Sequence, residues 1–132
     1  MRVLALDWGE VRIGAAISDP SGKIAFPFEK FIDSKSGTEE IKKIVVELDV
    51  KKIIIGKPTN LAGQEGVSSK KVDEFASKIE QEVGLPIEFV DERFTSVEAG
   101  KRLSADGVNE EKQRTVKDNI AAQIMLQQYL NK

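Results

Sequence analysis

The run Val3-Leu4-Ala5-Leu6 leaves a strand no polar side. Successive strand residues point to opposite faces, so an unbroken apolar run must be covered on both. That demand places Arg2 to Leu6 centrally in a sheet with packing layers above and below it, the setting of α/β folds. The run stops at Asp7, a carboxylate that costs several kcal/mol to desolvate unless something positive or hydrogen-bonding meets it. Two further acids sit in comparable places. Glu92 follows the apolar run Ile87 to Val90, and Asp118 opens the most apolar helical stretch, Asn119 to Leu130.

The rest of the chain supplies the layers. Arg12 to Ser18 reads as a second strand with Ile13, Ala15 and Ile17 on one face. Asp19-Pro20-Ser21-Gly22 has type I turn chemistry, and Lys23 to Phe31 returns as a third strand, at an edge because of Pro27. Ser36-Gly37-Thr38-Glu39 reads as a capping box before a helix carrying Ile41, Ile44, Val45 and Leu48. Lys52 to Gly56 is a short buried strand, and 57–69 a polar loop long enough to have a function. A helix with Val72, Phe75, Ala76, Ile79 and Val83 ends at Gly84, and Pro86 to Val90 is a fifth strand. A helix from Thr95 to about Ala105 and a last helix from Glu110 or Asp118 complete the chain. The predicted order is β-β-β-α-β-α-β-α-α. The last two strands arrive through helices and should lie parallel to the first. This is the element order of the α/β ribonuclease-H-like fold, a mixed five-stranded sheet with helices on both faces.

Composition narrows the chemistry. The 132 residues suit a single domain, here read as 1–132. They contain no histidine and no cysteine, which removes imidazole acid–base work, thiolate nucleophiles and zinc sites of the usual kind. Oxygen ligands remain, and these suit Mg²⁺ or Mn²⁺. The absence of cysteine, of a signal-peptide pattern and of any apolar run near the ~18–20 residues that span a bilayer points to the cytoplasm and away from membranes. The net charge of −2 alone argues mildly against nucleic acid as a partner, although a local basic patch is compatible with it.

In the expected sheet, Asp7 and Glu92 lie at carboxyl ends of strands on one edge, where α/β sheets gather ligands. Asp118 shares a helical face with Ala122, Met125, Leu126 and Tyr129. Three converging carboxylates can hold one or two hard cations, which stabilise the attacking and leaving oxygens of a phosphoryl displacement. Arg12, Arg93, Lys112, Arg114 and Lys117 are the basic groups nearest in sequence or topology, and Lys57 sits in the long loop. Each residue also has a plainer reading. Asp7 before Gly9 suits a turn, Asp118 suits an N-cap, Arg93 suits an ion pair with Glu92, and Trp8 suits core packing better than base stacking. Periodicity does not choose between Asp91 and Glu92.

Four motifs in order resemble the YqgF/RuvX family. They are Asp7-Trp8-Gly9-Glu10-Val11-Arg12-Ile13-Gly14 with Ala16-Ile17-Ser18-Asp19, and Gly56-Lys57-Pro58 with Gly63. Val90-Asp91-Glu92-Arg93-Phe94-Thr95-Ser96 with Ala99 follows, and then Lys117-Asp118 with Ala121-Ala122 and Leu126-Gln127-x-Tyr129-Leu130. The resemblance implies a ribonuclease-H-like fold and a cytoplasmic bacterial nuclease. Members are described both as Holliday junction resolvases and as nucleases maturing the 5′ end of pre-16S rRNA. By carry-over, Asp7, Glu92 and Asp118 match the acidic catalytic positions, and Arg12 and Arg93 the basic ones. Lys57 departs from the apolar residue frequent between that Gly and Pro. The implied partner is structured RNA or branched DNA, bound by a monomer or homodimer. Two other readings share these features: a non-catalytic RNA-binding ribosome-assembly factor, and an ATPase-like module that normally needs a second such domain.

Overall fold

The computed structural model describes residues 1–9, 11–29, 32–57, 67–91 and 110–131, and of 57, 67–69, 91 and 110–118 the backbone alone. Strand β1 (Arg2–Asp7) leads by a tight turn to β2 (Arg12–Ser18). Short strands β3 (Ala25–Pro27) and β4 (Ile32–Asp33) follow, then α1 (Gly37–Glu47), β5 (Val50–Lys57), α2 (Val67–Val83), β6 (Ile87–Asp91) and α3 (Glu110–Leu130). Among the described residues the sheet order is β3-β2-β1-β5-β6, with β4 also pairing with β2. Strand β1 is antiparallel to β2 and parallel to β5, and β5 is parallel to β6, as expected for strands that return through helices.

The apolar strands divide their side chains between two layers. Leu4, Leu6, Ile13, Ala15, Ile53 and Ile55 pack with Ile41 of α1 and Val72, Ala76 and Ile79 of α2. Val3, Ala5, Ala16 and Ile54 pack with Ala122, Met125 and Leu126 of α3. Leu4, Ala5, Leu6 and Ile53 to Ile55 are all fully buried, the consequence of runs with no polar side. Trp8 packs against the first layer, in line with the plainer of its two expected roles.

Several local expectations hold. The amide of Gly22 donates to Asp19 O at 3.0 Å, closing the Asp19-Pro20-Ser21-Gly22 turn. Asp19 Oδ1 also accepts from the amides of Lys23 (2.7 Å) and Ile24 (3.0 Å). Gly84 ends α2 at φ +67, its amide bonded to Glu80 O at 2.9 Å.

Others are corrected. Among the described residues, the predicted third strand, Lys23 to Phe31, is strand only over β3, and the separate strand β4 follows beyond its end, so the sheet gains a sixth member. Ser36 makes no capping bond to the α1 backbone, and its hydroxyl donates to Glu40 Oε1 at 3.2 Å instead. Lys57 ends β5 rather than standing in a loop. The predicted helix 95–105 lies outside the described residues.

The edge strand is closed by α3. Gln127 Oε1 accepts from Ala25 N at 2.9 Å, Gln127 Nε2 donates to Lys23 O at 3.0 Å, and Gln123 Nε2 donates to Ala25 O at 3.1 Å. These amides occupy positions that a further strand would use, and Pro27 has no donor to offer.

Ile54→Ala should lower unfolding free energy by about 2–5 kcal/mol, measured by urea denaturation, because Ile54 is fully buried against α3. Asp19 is held well below its usual carboxylate value, chiefly by the Ile24 amide and then by the Ser21 hydroxyl and the Lys23 amide. Its folded pKa is depressed, so its contribution is present above about pH 4 and fades as pH falls toward the folded value. Asp19→Asn should therefore flatten the acid limb of a stability–pH curve below about pH 4.

Candidate active site

The candidate site starts where β1 runs out of core. Asp7, its last residue, pairs with Gly14 of β2 and is half-buried. The turn that follows is built for glycine: a Cβ at Gly9 would lie 2.5 Å from the backbone oxygen of Arg12. Ser34 ties the turn down, its hydroxyl donating to Gly9 O at 2.6 Å and its amide to Val11 O at 3.1 Å. Arg12 then opens β2 opposite Asp33 and is half-buried. The Asp-x-Gly turn thus requires glycine at position 9 and is tied down by Ser34.

Strand β6 comes to the same edge. Beyond the row Leu6–Ile55–Phe89, β1 ends at Asp7 while the β5–β6 ladder continues through Gly56–Val90 and Lys57–Asp91. The mouths of β1 and β6 are two strand spacings apart, on the order of 10 Å. Glu92 is the next residue in the chain; it and Arg93 lie outside the described residues. Lys57 stands at this edge on β5, opposite Asp91.

Helix α3 supplies the third element. It runs unbroken from Glu110, so Asp118 lies inside the helix and the N-cap reading is overturned. Residue 118 is one turn before Ala122, whose side chain is buried against the sheet, and so sits on the sheet-facing side of α3. The next residue, Asn119, is fully buried. Its Oδ1 accepts from Ala15 N at 2.8 Å, and its Nδ2 donates to Phe28 O at 2.9 Å. Ala15 is adjacent to Gly14, the residue paired with Asp7, so the backbone of residue 118 is carried to the strand edge that bears Asp7. Arg114 and Lys117 lie on the turns of α3 before this anchor, toward the carboxyl edge of the sheet.

Among the described residues no group of three acidic, histidine or cysteine side chains could hold a metal; Glu92 and the Asp118 side chain lie outside them. The backbone places Asp7, Arg12, Lys57, the end of β6 and the 118 turn of α3 toward one edge of the sheet. Asn119 escaped the sequence reading. The available signal was a polar residue three before Ala122 and seven before Leu126, on an otherwise apolar stripe.

At its far end α3 is held by Lys52, whose Nζ pairs with Glu88 Oε2 at 2.8 Å, donates to the Tyr129 hydroxyl and lies 5.1 Å from the centre of its ring. Glu88 first, then Tyr129, raises the Lys52 pKa, so the lysine stays charged. No helix among the described residues is long and apolar enough to cross a membrane.

Comparison with known proteins agrees with this architecture. Residues 1–132 match the family model described as RuvX: Holliday junction resolvase. A protein of Dictyoglomus turgidum named "Putative pre-16S rRNA nuclease" is 41% identical over 133 residues, covering 99% of this chain and 94% of the relative. A protein of the same name from Dictyoglomus thermophilum is 40% identical, covering 99% and 96%. The structure of T. thermophilus RuvC in complex with a Holliday junction substrate superposes with a TM-score of 0.58 at 13% identity, over 98% of this chain and 93% of that one. The fold is therefore ribonuclease-H-like, as expected.

Gly9→Ala should disturb the turn after Asp7, because the added methyl meets backbone rather than a flexible side chain. A loss of about 1–3 kcal/mol is expected, measured by thermal and urea unfolding; unchanged stability would contradict this reading of the turn.

Proposed function

The chain belongs to the RuvX family, and from that membership we propose that it is a divalent-metal-dependent nuclease that hydrolyses phosphodiesters in structured nucleic acid. The observation that carries the reading is the meeting of three elements at one sheet edge: Asp7 at the mouth of β1, the end of β6 that leads to Glu92, and the 118 turn of α3.

The donor chemistry fits such an ion. Every acid proposed here offers hard oxygen ligands, in a chain with no histidine or cysteine, and such sets select Mg²⁺ or Mn²⁺. Asp7, Glu92 and Asp118 would hold the ion. Once bound, it supplies Lewis-acid stabilisation of charge on the attacking and leaving oxygens. The chain's own groups do the rest. Arg12, Arg93, Arg114, Lys117 and Lys57 hold backbone phosphates, an attraction that weakens as salt rises. The end of β1 and a stitched helix give Asp7 and residue 118 rigid backbone supports.

The 16S rRNA precursor is placed first as substrate, because relatives 40–41% identical over nearly their whole length are named "Putative pre-16S rRNA nuclease". A four-way DNA junction comes second, from the family description. The reading extends to residues 1–132 acting as one nuclease domain in the cytoplasm, as a monomer or homodimer.

A pre-rRNA 5′ leader and a synthetic four-way DNA junction, assayed side by side with Mn²⁺ and with chelator, test the proposal. Metal-dependent cleavage of the leader is expected. Asp7→Asn, which keeps shape but loses charge, should reduce it by more than about a hundredfold, the scale of losing a transition-state electrostatic stabiliser, with the fold intact by circular dichroism. Full activity in Asp7→Asn would refute the site. Binding without cleavage, across metals and substrates, would favour the assembly-factor alternative.

A further inference from the structure

Asn119 stands inside a strand ladder. Ala16 pairs with Pro27 across β2 and β3, so Ala15 and Phe28 form the next pair. An antiparallel pair of this kind normally exchanges two N–H···O bonds. One is present, from Phe28 N to Ala15 O at 3.0 Å. The other is replaced by a carboxamide: Ala15 N donates to Asn119 Oδ1 at 2.8 Å, and Asn119 Nδ2 donates to Phe28 O at 2.9 Å. Beyond this point the partner of β2 changes register, with Ile13 facing Ile32 rather than residue 30. The amide therefore fills an opening where β3 gives way to β4.

The wedge leaves α3 little freedom. Both ends of the carboxamide are used, and Asn119 is fully buried, so sliding or turning the helix would break both hydrogen bonds together, one buried and one part-buried. A carboxamide supplies the neutral acceptor and donor that both backbone groups need. Aspartate would bury a charge and offer Phe28 O no donor, and leucine would leave both backbone groups unpaired.

The anchor also lies next to the site. Asn119 follows Asp118, and Ala15 follows Gly14, which pairs with Asp7. We infer that Asn119 is a positioning residue, which through the Ala15–Phe28 opening holds residue 118 of α3 in register with Asp7 for cation binding. The inference rests on the function proposed above. Gln123 and Gln127 tie the same helix to β3 from positions one to two turns further along, so fastening the helix and registering residue 118 can be tested apart.

The experiment compares wild type, Asn119→Ala, Gln127→Ala and Asp7→Asn. Mn²⁺ affinity is measured by calorimetry, stability by Tm, Ala15 amide exchange by NMR, and cleavage by kcat and KM. Asn119→Ala should speed Ala15 exchange and raise the Mn²⁺ Kd by about tenfold or more, the scale seen when a supporting partner of a ligand is lost. It should lower kcat with KM nearly unchanged. Gln127→Ala should lower Tm yet leave the Mn²⁺ Kd within about twofold, as a distant and independent site does. If Asn119→Ala does not fold, Asn119→Ser, a smaller perturbation whose hydroxyl is too short to bridge both groups, gives the same readings. An unchanged Mn²⁺ Kd in the Asn119 variant, or an equal loss in Gln127→Ala, overturns the positioning role while leaving the site standing. Wild-type Mn²⁺ affinity in Asp7→Asn instead overturns the site, and this inference with it.

Discussion

Strand β1 has no side on which water is tolerated, and the architecture follows from that. Its residues are shared between two packed layers, α1 and α2 on one side and α3 on the other. Covered on both faces and flanked by β2 and β5, the strand can meet solvent only at its ends. Asp7 is the first polar residue after the buried run, so a carboxylate is delivered to the mouth of the sheet by the hydrophobic effect rather than by any local preference. Gly9 and Ser34 then turn the chain back beside it.

The second organising feature is how α3 is attached. Its apolar stripe supplies burial, but direction and register come from side-chain amides that stand in for backbone partners: Asn119 within the β2–β3 ladder, Gln123 and Gln127 along the edge strand. Lys52, Glu88 and Tyr129 hold its far end against β5 and β6. Hydrogen bonds are directional where hydrophobic contact is not. A helix fixed in this way can bring a functional group to a strand edge with a defined register.

The sheet was legible because its signals are periodic and strong. Runs such as Val3 to Leu6 and the stripe Val72, Ala76, Ile79 identify buried strands and an amphipathic helix without tertiary knowledge. Asp19-Pro20-Ser21-Gly22 and Gly84 were legible because turn chemistry is local. What failed was either set by a distant partner or locally ambiguous. The break between β3 and β4 occurs where a side chain 91 residues away enters the ladder, and no pattern within 23–31 encodes that. Ser36 suited a cap by composition, yet its hydroxyl bonds Glu40. Asp118 suited a cap because the apolar stripe starts after it, whereas the helix extends eight residues before it. At the site, Asp7 was legible from the abrupt end of its strand. The choice of Glu92 over Asp91 came from motif resemblance, because alternation within a strand cannot decide it. Asn119 passed unnoticed because a lone asparagine on an apolar stripe says that a partner exists, not which.

In the proposed site one ion is shared by carboxylates from β1, the segment after β6, and α3. Crystals grown with Mn²⁺ and measured at the manganese absorption edge test it most directly. An anomalous peak is expected at the mouth of β1, with oxygens of Asp7, Glu92 and Asp118 about 2.0–2.3 Å from it. A peak elsewhere, or one at Asp7 with the other two carboxylates turned away, would contradict it.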